Sequence, residues 1–221
     1  MLIVFPKNSI RPDMNLVLSL LLVFQILPEK ERLLYETNDK GTIGRIAVVS
    51  ELDSTGYHVT YQSDREINCV LDSVDLSTQF VEKIIGDRLV LSAAQHDQFE
   101  VYFKGTTYRY RETGPVYDRH TLDFAFRGFL YYPTYHKTFR LHIPEFMIVN
   151  ADLEFVSEET VSTSLGRIAC WKLMMKPRIL FFSWQFYFWI EQAYPHRFIQ
   201  YEDSSGENRI LLIAYERQSG I

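Results

Sequence analysis

Between Gly166 and Tyr215 apolar and polar positions alternate in short runs, each cut off by a proline or a glycine. Arg167–Lys176, Phe181–Ile190, Pro195–Glu202 and Arg209–Tyr215 are rich in aromatic and β-branched residues, with Pro177, Pro195 and Gly206 as punctuation. Such side chains suit a pleated, half-buried surface, so the pattern predicts four strands in an antiparallel meander. The first half of the chain repeats the theme. Gly56–Gln62 puts Tyr57, Val59 and Tyr61 on one face and His58, Thr60 and Gln62 on the other, the period of a half-buried strand. Similar runs follow at Ile43–Val49, Ile67–Leu71, Phe80–Ile85, Arg88–Ser92, Phe99–Phe103 and Thr106–Arg111. Lys104-Gly105 supplies a tight turn between the last two.

One stretch breaks the strand period. Leu122, Ala125, Phe126, Phe129 and Leu130 recur at helical spacing after Gly114-Pro115, with Asp118 or Thr121 as cap and Pro133 as stop. This predicts a helix over Leu122–Tyr131 whose apolar stripe lies on the inner face of the sheet. Strands resume at Lys137–Ile143, Glu145–Val149 and Leu153–Thr160. The expected fold is mainly β with one principal covering helix.

The N-terminus is apolar in a different way. Lys7 and Arg11 precede the uninterrupted Leu16–Leu27 run, which Pro28-Glu-Lys-Glu-Arg ends. That run is shorter than the roughly 20 residues of a membrane span and suits the apolar core of a signal peptide. No small-x-small cleavage site follows it, and a buried helix or strand is the alternative. The expected organisation is a leader over residues 1–28 and a single domain over residues 29–221.

Composition narrows the function classes. The chain has 221 residues, 47% hydrophobic and 15% aromatic, enough to bury a sizeable core. A net charge of −5 without a face-sized basic patch gives no reason to expect nucleic acid. Two cysteines, Cys69 and Cys170, can build neither a disulfide framework nor a four-cysteine zinc site. They either pair with each other or stand as buried thiols. No nucleophile elbow, Walker loop, dinucleotide fingerprint, H-E-x-x-H or C-x-x-C occurs, and no cofactor is expected.

Isolated polar residues add little. His136 and His142 share a strand face but stand about 20 Å apart along it, too far for one metal. His58, His96, His120 and His196 lack ligand-like spacing. Paired carboxylates such as Glu158-Glu159 point to opposite faces of a strand and make no catalytic dyad. Asp123 and Arg127 stand at i, i+4 and are expected as a surface pair on the helix. The Phe181–Trp189 run is more unusual. Phe182, Trp184, Phe186 and Phe188 form one unbroken apolar face, which either fills a core or walls a cavity.

Four motifs carry a family resemblance: Glu31-Arg-Leu-Leu-Tyr35 with Gly41-Thr-Ile-Gly44, the Asp123-Phe-Ala-Phe-Arg-Gly-Phe segment, Thr163–Leu173, and Phe188–Phe198. In this order they resemble an uncharacterised family of periplasmic bacterial proteins, similar in architecture to the lipoprotein carriers LolA and LolB. The resemblance implies a strongly curved antiparallel sheet, an incomplete barrel, with a helix over its concave face. It further implies a periplasmic or outer-membrane-associated protein, without catalytic residues, that holds a lipid or other apolar small molecule. Phe182, Trp184, Phe186, Phe188, Phe126 and Phe129 are the expected cavity wall. A structural or adaptor protein with a filled core and an envelope protein partner is the alternative.

Overall fold

A computed structural model describes residues 27–143, 147–179 and 184–218. Its first eight strands are successive hairpins: β1 (Lys30–Asp39), β2 (Thr42–Asp53), β3 (Gly56–Gln62), β4 (Glu66–Leu71), β5 (Thr78–Ile85), β6 (Arg88–Gln95), β7 (Phe99–Phe103) and β8 (Thr106–Tyr110). Short turns join them because the turn residues permit it. Lys104 and Gly105 both take positive φ between β7 and β8, a conformation that glycine adopts at no steric cost. Gly56 is required for a second reason. A Cβ there would lie 2.2 Å from the Leu71 carbonyl oxygen of the neighbouring strand.

After β9 (Val116–Asp118) the chain leaves the sheet for one helical segment. A 3-10 turn (Arg119–Thr121) leads into α1 (Leu122–Ala125), and a second 3-10 turn (Phe126–Gly128) ends it. The helix expected over Leu122–Tyr131 is thus a single α-turn flanked by tighter ones. Phe129 is already extended, at φ −96° and ψ 146°. The sheet resumes with β10 (His136–Ile143), β11 (Met147–Thr163), β12 (Gly166–Pro177), β13 (Phe186–Glu191), β14 (Phe198–Asp203) and β15 (Asn208–Arg217). The strand expected from Phe181 therefore starts at Phe186, and Phe182 lies outside the described residues.

All fifteen strands join one sheet, running from β8 down to β1, then from β15 back to β9. The β1–β15 pairing, Glu31 opposite Arg217 through Asp39 opposite Asn208, welds the two hairpin series together. This corrects the expected architecture. The sheet is open, with β8 and β9 as unpaired ends, and it is mixed, because β9 runs parallel to β10. A parallel neighbour needs a crossover, and residues 119–135 supply it. The strongly curved, purely antiparallel incomplete barrel is replaced by an open mixed sheet, since that crossover takes the last strand out of the hairpin series.

The helical segment covers one end of the apolar face. Leu122, Phe124, Ala125 and Phe126 are buried there, together with Val59, Cys69 and Val81 of one series and Leu141, Leu153 and Phe188 of the other. Cys69 and Cys170 are free, buried thiols on β4 and β12. Residues 1–26 of the expected leader lie outside the described residues. Leu27 is buried, and it exchanges hydrogen bonds with the Tyr57 hydroxyl at 3.3 and 3.1 Å.

Candidate functional site

The aromatic residues singled out in the sequence separate into two groups. Phe126 and Phe188 are buried and meet edge to face, ring centroids 4.8 Å apart. Phe139 and Phe129 complete the cluster, each 5.9 Å from Phe126. Offset and T-shaped contacts of this kind are the preferred aromatic packing, so Phe126 and Phe188 act as core. Phe129 is only partly buried, and the Lys137 ammonium sits 3.7 Å above its ring. Phe186, on the same strand face as Phe188, is also partly buried and stacks on Tyr201 at 6.2 Å. Trp184 precedes β13 and is half exposed.

The apolar face continues past the cover of the helical segment. Tyr108 pairs with buried Val101, and Phe103 pairs with buried Leu91, so both face inward. Neither is fully covered. Phe186 and Tyr201 mark the equivalent level on the other hairpin series. The outcome is an inner face filled beneath α1 and partly open toward the Gly86, Gly105 and Gly206 turns. An open dent of about 350 Å³ beside the β3–β4 turn and Ile84–Gly86 is a separate, polar feature.

Beneath the helical segment lie polar groups whose arrangement the sequence did not disclose. Arg127 is buried and makes a fork to Glu31, Nη1 to Oε1 at 2.5 Å and Nη2 to Oε2 at 3.1 Å. Its Nε and Nη2 also donate to the Pro195 carbonyl, at 3.4 and 3.3 Å. Asp123 accepts from the Tyr61 hydroxyl at 2.7 Å. The expected Asp123–Arg127 surface pair is therefore corrected. Arg127 is buried and Asp123 half-buried, and each is bound to the sheet rather than to the other. Burial pushes the Asp123 carboxyl up to about 6, against the opposing pull of Tyr61 and Arg127.

A second group centres on Asp118. Parallel pairing puts Asp118 opposite His142, and its Oδ2 lies 2.5 Å from His142 Nδ1. Its Oδ1 accepts from the His120 backbone N–H at 2.8 Å and lies 2.8 Å from His120 Nδ1. The Asp118 N–H donates to Thr78 Oγ1, which is 3.1 Å from Thr121 Oγ1. Burial alone would raise the Asp118 carboxyl, but the two histidines outweigh it and hold it well below the carboxylate range. His142 Nε2 is buried without a hydrogen-bond partner among the described residues, beside the Phe99 ring at 5.2 Å. An aspartate that receives both Nδ1 protons fixes each imidazole tautomer. Here it locks β9 to β10, to β5 and to the helical turn. His136, expected on the same strand face as His142, is exposed and turned to Asp152 at 3.5 Å. Among the described residues no three His, Cys, Asp or Glu groups are set to hold a metal.

No protein-family profile matches the chain, and no curated protein sequence matches it significantly. Solved structures do resemble it. The fold is similar to a β-barrel-like protein of the domain of unknown function DUF1849 from Brucella abortus, with a TM-score of 0.55 at 11% identity, covering 87% of this chain and 99% of that one. At that identity the likeness is one of fold alone. Weaker matches are the hypothetical lipoprotein YmcC from Escherichia coli, with a TM-score of 0.39 at 14% identity over 98% of this chain and 100% of that one. MucB matches with a TM-score of 0.38 at 9% identity over 95% of this chain and 61% of that one. The likeness in fold is to a β-barrel-like protein of unknown function, not specifically to LolA or LolB.

Proposed function

We propose that the chain is a non-enzymatic protein of the bacterial envelope, periplasmic or outer-membrane-associated, that holds an acyl-like apolar ligand. In this reading residues 29–221 act as one unit and residues 1–28 as an export leader. The supporting observation is the inner face that continues, partly uncovered, from the Phe126–Phe188 core to Phe186, Tyr201, Phe103 and Tyr108. Ligand sites are mostly apolar with a few polar groups at the mouth. Phe186 would form the wall nearest the core, with Phe129 at the opposite margin. Trp184 would lie at the entrance.

The packing of Phe126 supports the second reading, an adaptor with a filled core that presents its surface to an envelope protein. That ring is fully buried among Phe129, Phe139 and Phe188 and leaves no room for a ligand at its own position. Titration of the purified protein with a long-chain fatty acid separates the two. The carrier reading expects saturable change in tryptophan emission, protection against melting, and co-purified lipid in native mass spectrometry. An absence of all three would leave the adaptor.

A further inference from the structure

We infer that the end of the molecule where the chain enters at Leu27 is a docking surface for a lipid bilayer, independent of whether the inner face carries a ligand. Most of the strongly exposed apolar side chains at this end belong to three loops. Leu130 is 83% exposed, Val74 73%, Tyr132 54% and Tyr194 50%. Contacts join them into one rim. The Tyr117 hydroxyl donates to the Asp75 carbonyl beside Val74, and the Tyr117 ring meets Phe129, the neighbour of Leu130. Rings then follow one another from Tyr132 through Tyr135, Tyr131, Trp171 and His196 to Tyr194, each 5.0–6.4 Å from the next.

Two further observations select a lipid surface as the occupant. The Leu16–Leu27 apolar run joins the fold here, because Leu27 is tied to Tyr57, and Glu31 just beyond it holds Arg127, which also donates to the Pro195 carbonyl beside Tyr194. An uncleaved leader would therefore bring the rim against the same apolar phase that receives the run. The rim also has cations at both flanks. Lys137 stands over Phe129 at 3.7 Å, and Arg217 lies 5.8 Å from the Tyr194 ring. Three acids beside the rim are engaged, Asp72 accepting from the Val74 and Asp75 amides, Asp75 from the Ser77 amide and Glu191 from Arg197. Tyrosine and tryptophan rings favour the headgroup level, where one end is apolar and the other wet. An exposed leucine flanked by such rings and by cations matches an interfacial anchor.

Flotation of the full chain with vesicles of phosphatidylethanolamine and phosphatidylglycerol tests this. The wild type should float, and the combined V74D, L130D, Y132D and Y194D variant should float at least about tenfold less. A control with I43D and I85D, exposed at the opposite end, should float like the wild type. Thermal melting checks that each variant folds. Should the fourfold variant fail to fold, V74S with L130S replaces it, with a loss of about threefold expected. A wild type that stays in solution overturns the proposal. So does a folded rim variant that floats undiminished, or a control that loses as much as the rim variant. Fatty-acid titration of the rim variant should match the wild type, which separates this surface from the carrier site.

Discussion

Arg127 and Glu31 form a buried ion pair across 96 residues of sequence, joining the helical segment to the first strand of the sheet. The guanidinium fork matches the carboxylate geometrically, and the Pro195 carbonyl takes the remaining Nε and Nη2 protons. One cation thus ties three distant parts of the chain: the crossover, β1 and the β13–β14 loop. Lysine would not do this, since its single ammonium cannot make the fork.

Breaking the pair from one side should therefore be costly. Arg127→Met leaves Glu31 buried without its counter-ion, and denaturant unfolding should show a loss of about 3–5 kcal/mol. Combining it with Glu31→Leu should recover much of that loss, because two apolar groups carry no desolvation cost. A double variant as unstable as the single one would show that the charge itself holds the segment down.

Asp123 makes stability depend on pH with the opposite sign from most carboxylates. Burial raises its folded value from 3.8 to about 6, so between these values the folded state binds the proton more tightly. Its favourable contribution is complete below about 4 and is lost as pH rises through about 6. That shift corresponds to roughly 3 kcal/mol at neutral pH. Asp123→Asn keeps an acceptor for Tyr61 but removes the charge. The variant should melt higher than the wild type at pH 7–8 and match it near pH 4. Equal melting at both pH values would place the Asp123 carboxylate in contact with water.

Asp118 works the other way. His120 and His142 hold its carboxyl low, so its contribution is present at neutral pH and disappears only in strong acid. Asp118→Asn removes the charge and turns one of the two acceptor oxygens that the imidazoles and the His120 amide share into a donor. A loss of about 2–4 kcal/mol is expected. Hydrogen exchange should quicken at Val116–Asp118 and through Leu122–Gly128 before it changes in β1, β2 or β15. Uniform quickening would mean that β9 opens only with the whole sheet.

The strands were legible because each hairpin leaves a local signature: alternation such as Tyr57, Val59 and Tyr61, and a positive-φ turn such as Lys104-Gly105. The crossover was less so. Leu122, Phe126 and Phe129 share helical spacing, yet only four residues hold α geometry, and Phe129 reaches the cluster from an extended backbone. Periodicity marks which residues face the core but not which backbone takes them there. The polar anchors were hidden for a different reason. Asp118 meets His142 only through parallel pairing, and Arg127 meets Glu31 only after both hairpin series have joined. Nothing local to either residue encodes those meetings. The nearer partner at i, i+4 was a false lead, since Asp123 and Arg127 each reach for the sheet.

Phe126 and Phe186 provide a final contrast between core and wall. Phe126 touches Phe129, Phe139 and Phe188 and is fully buried, so Phe126→Ala should cost about 3–5 kcal/mol by the cavity it leaves. Phe186 stacks on Tyr201 at the margin of the covered face, and its truncation removes far less buried surface. A loss near 1 kcal/mol is expected there, on the scale of area removed from water. Fatty-acid affinity should respond in the reverse order. Phe186→Ala should weaken binding several-fold with little change in melting, whereas Phe126→Ala, measured well below its lowered melting temperature, should bind nearly as the wild type does. Equal affinity in wild type and Phe186→Ala would move the ligand off this wall. A stability loss at Phe186 as large as that at Phe126 would extend the filled core to the strand's first residue and favour the adaptor.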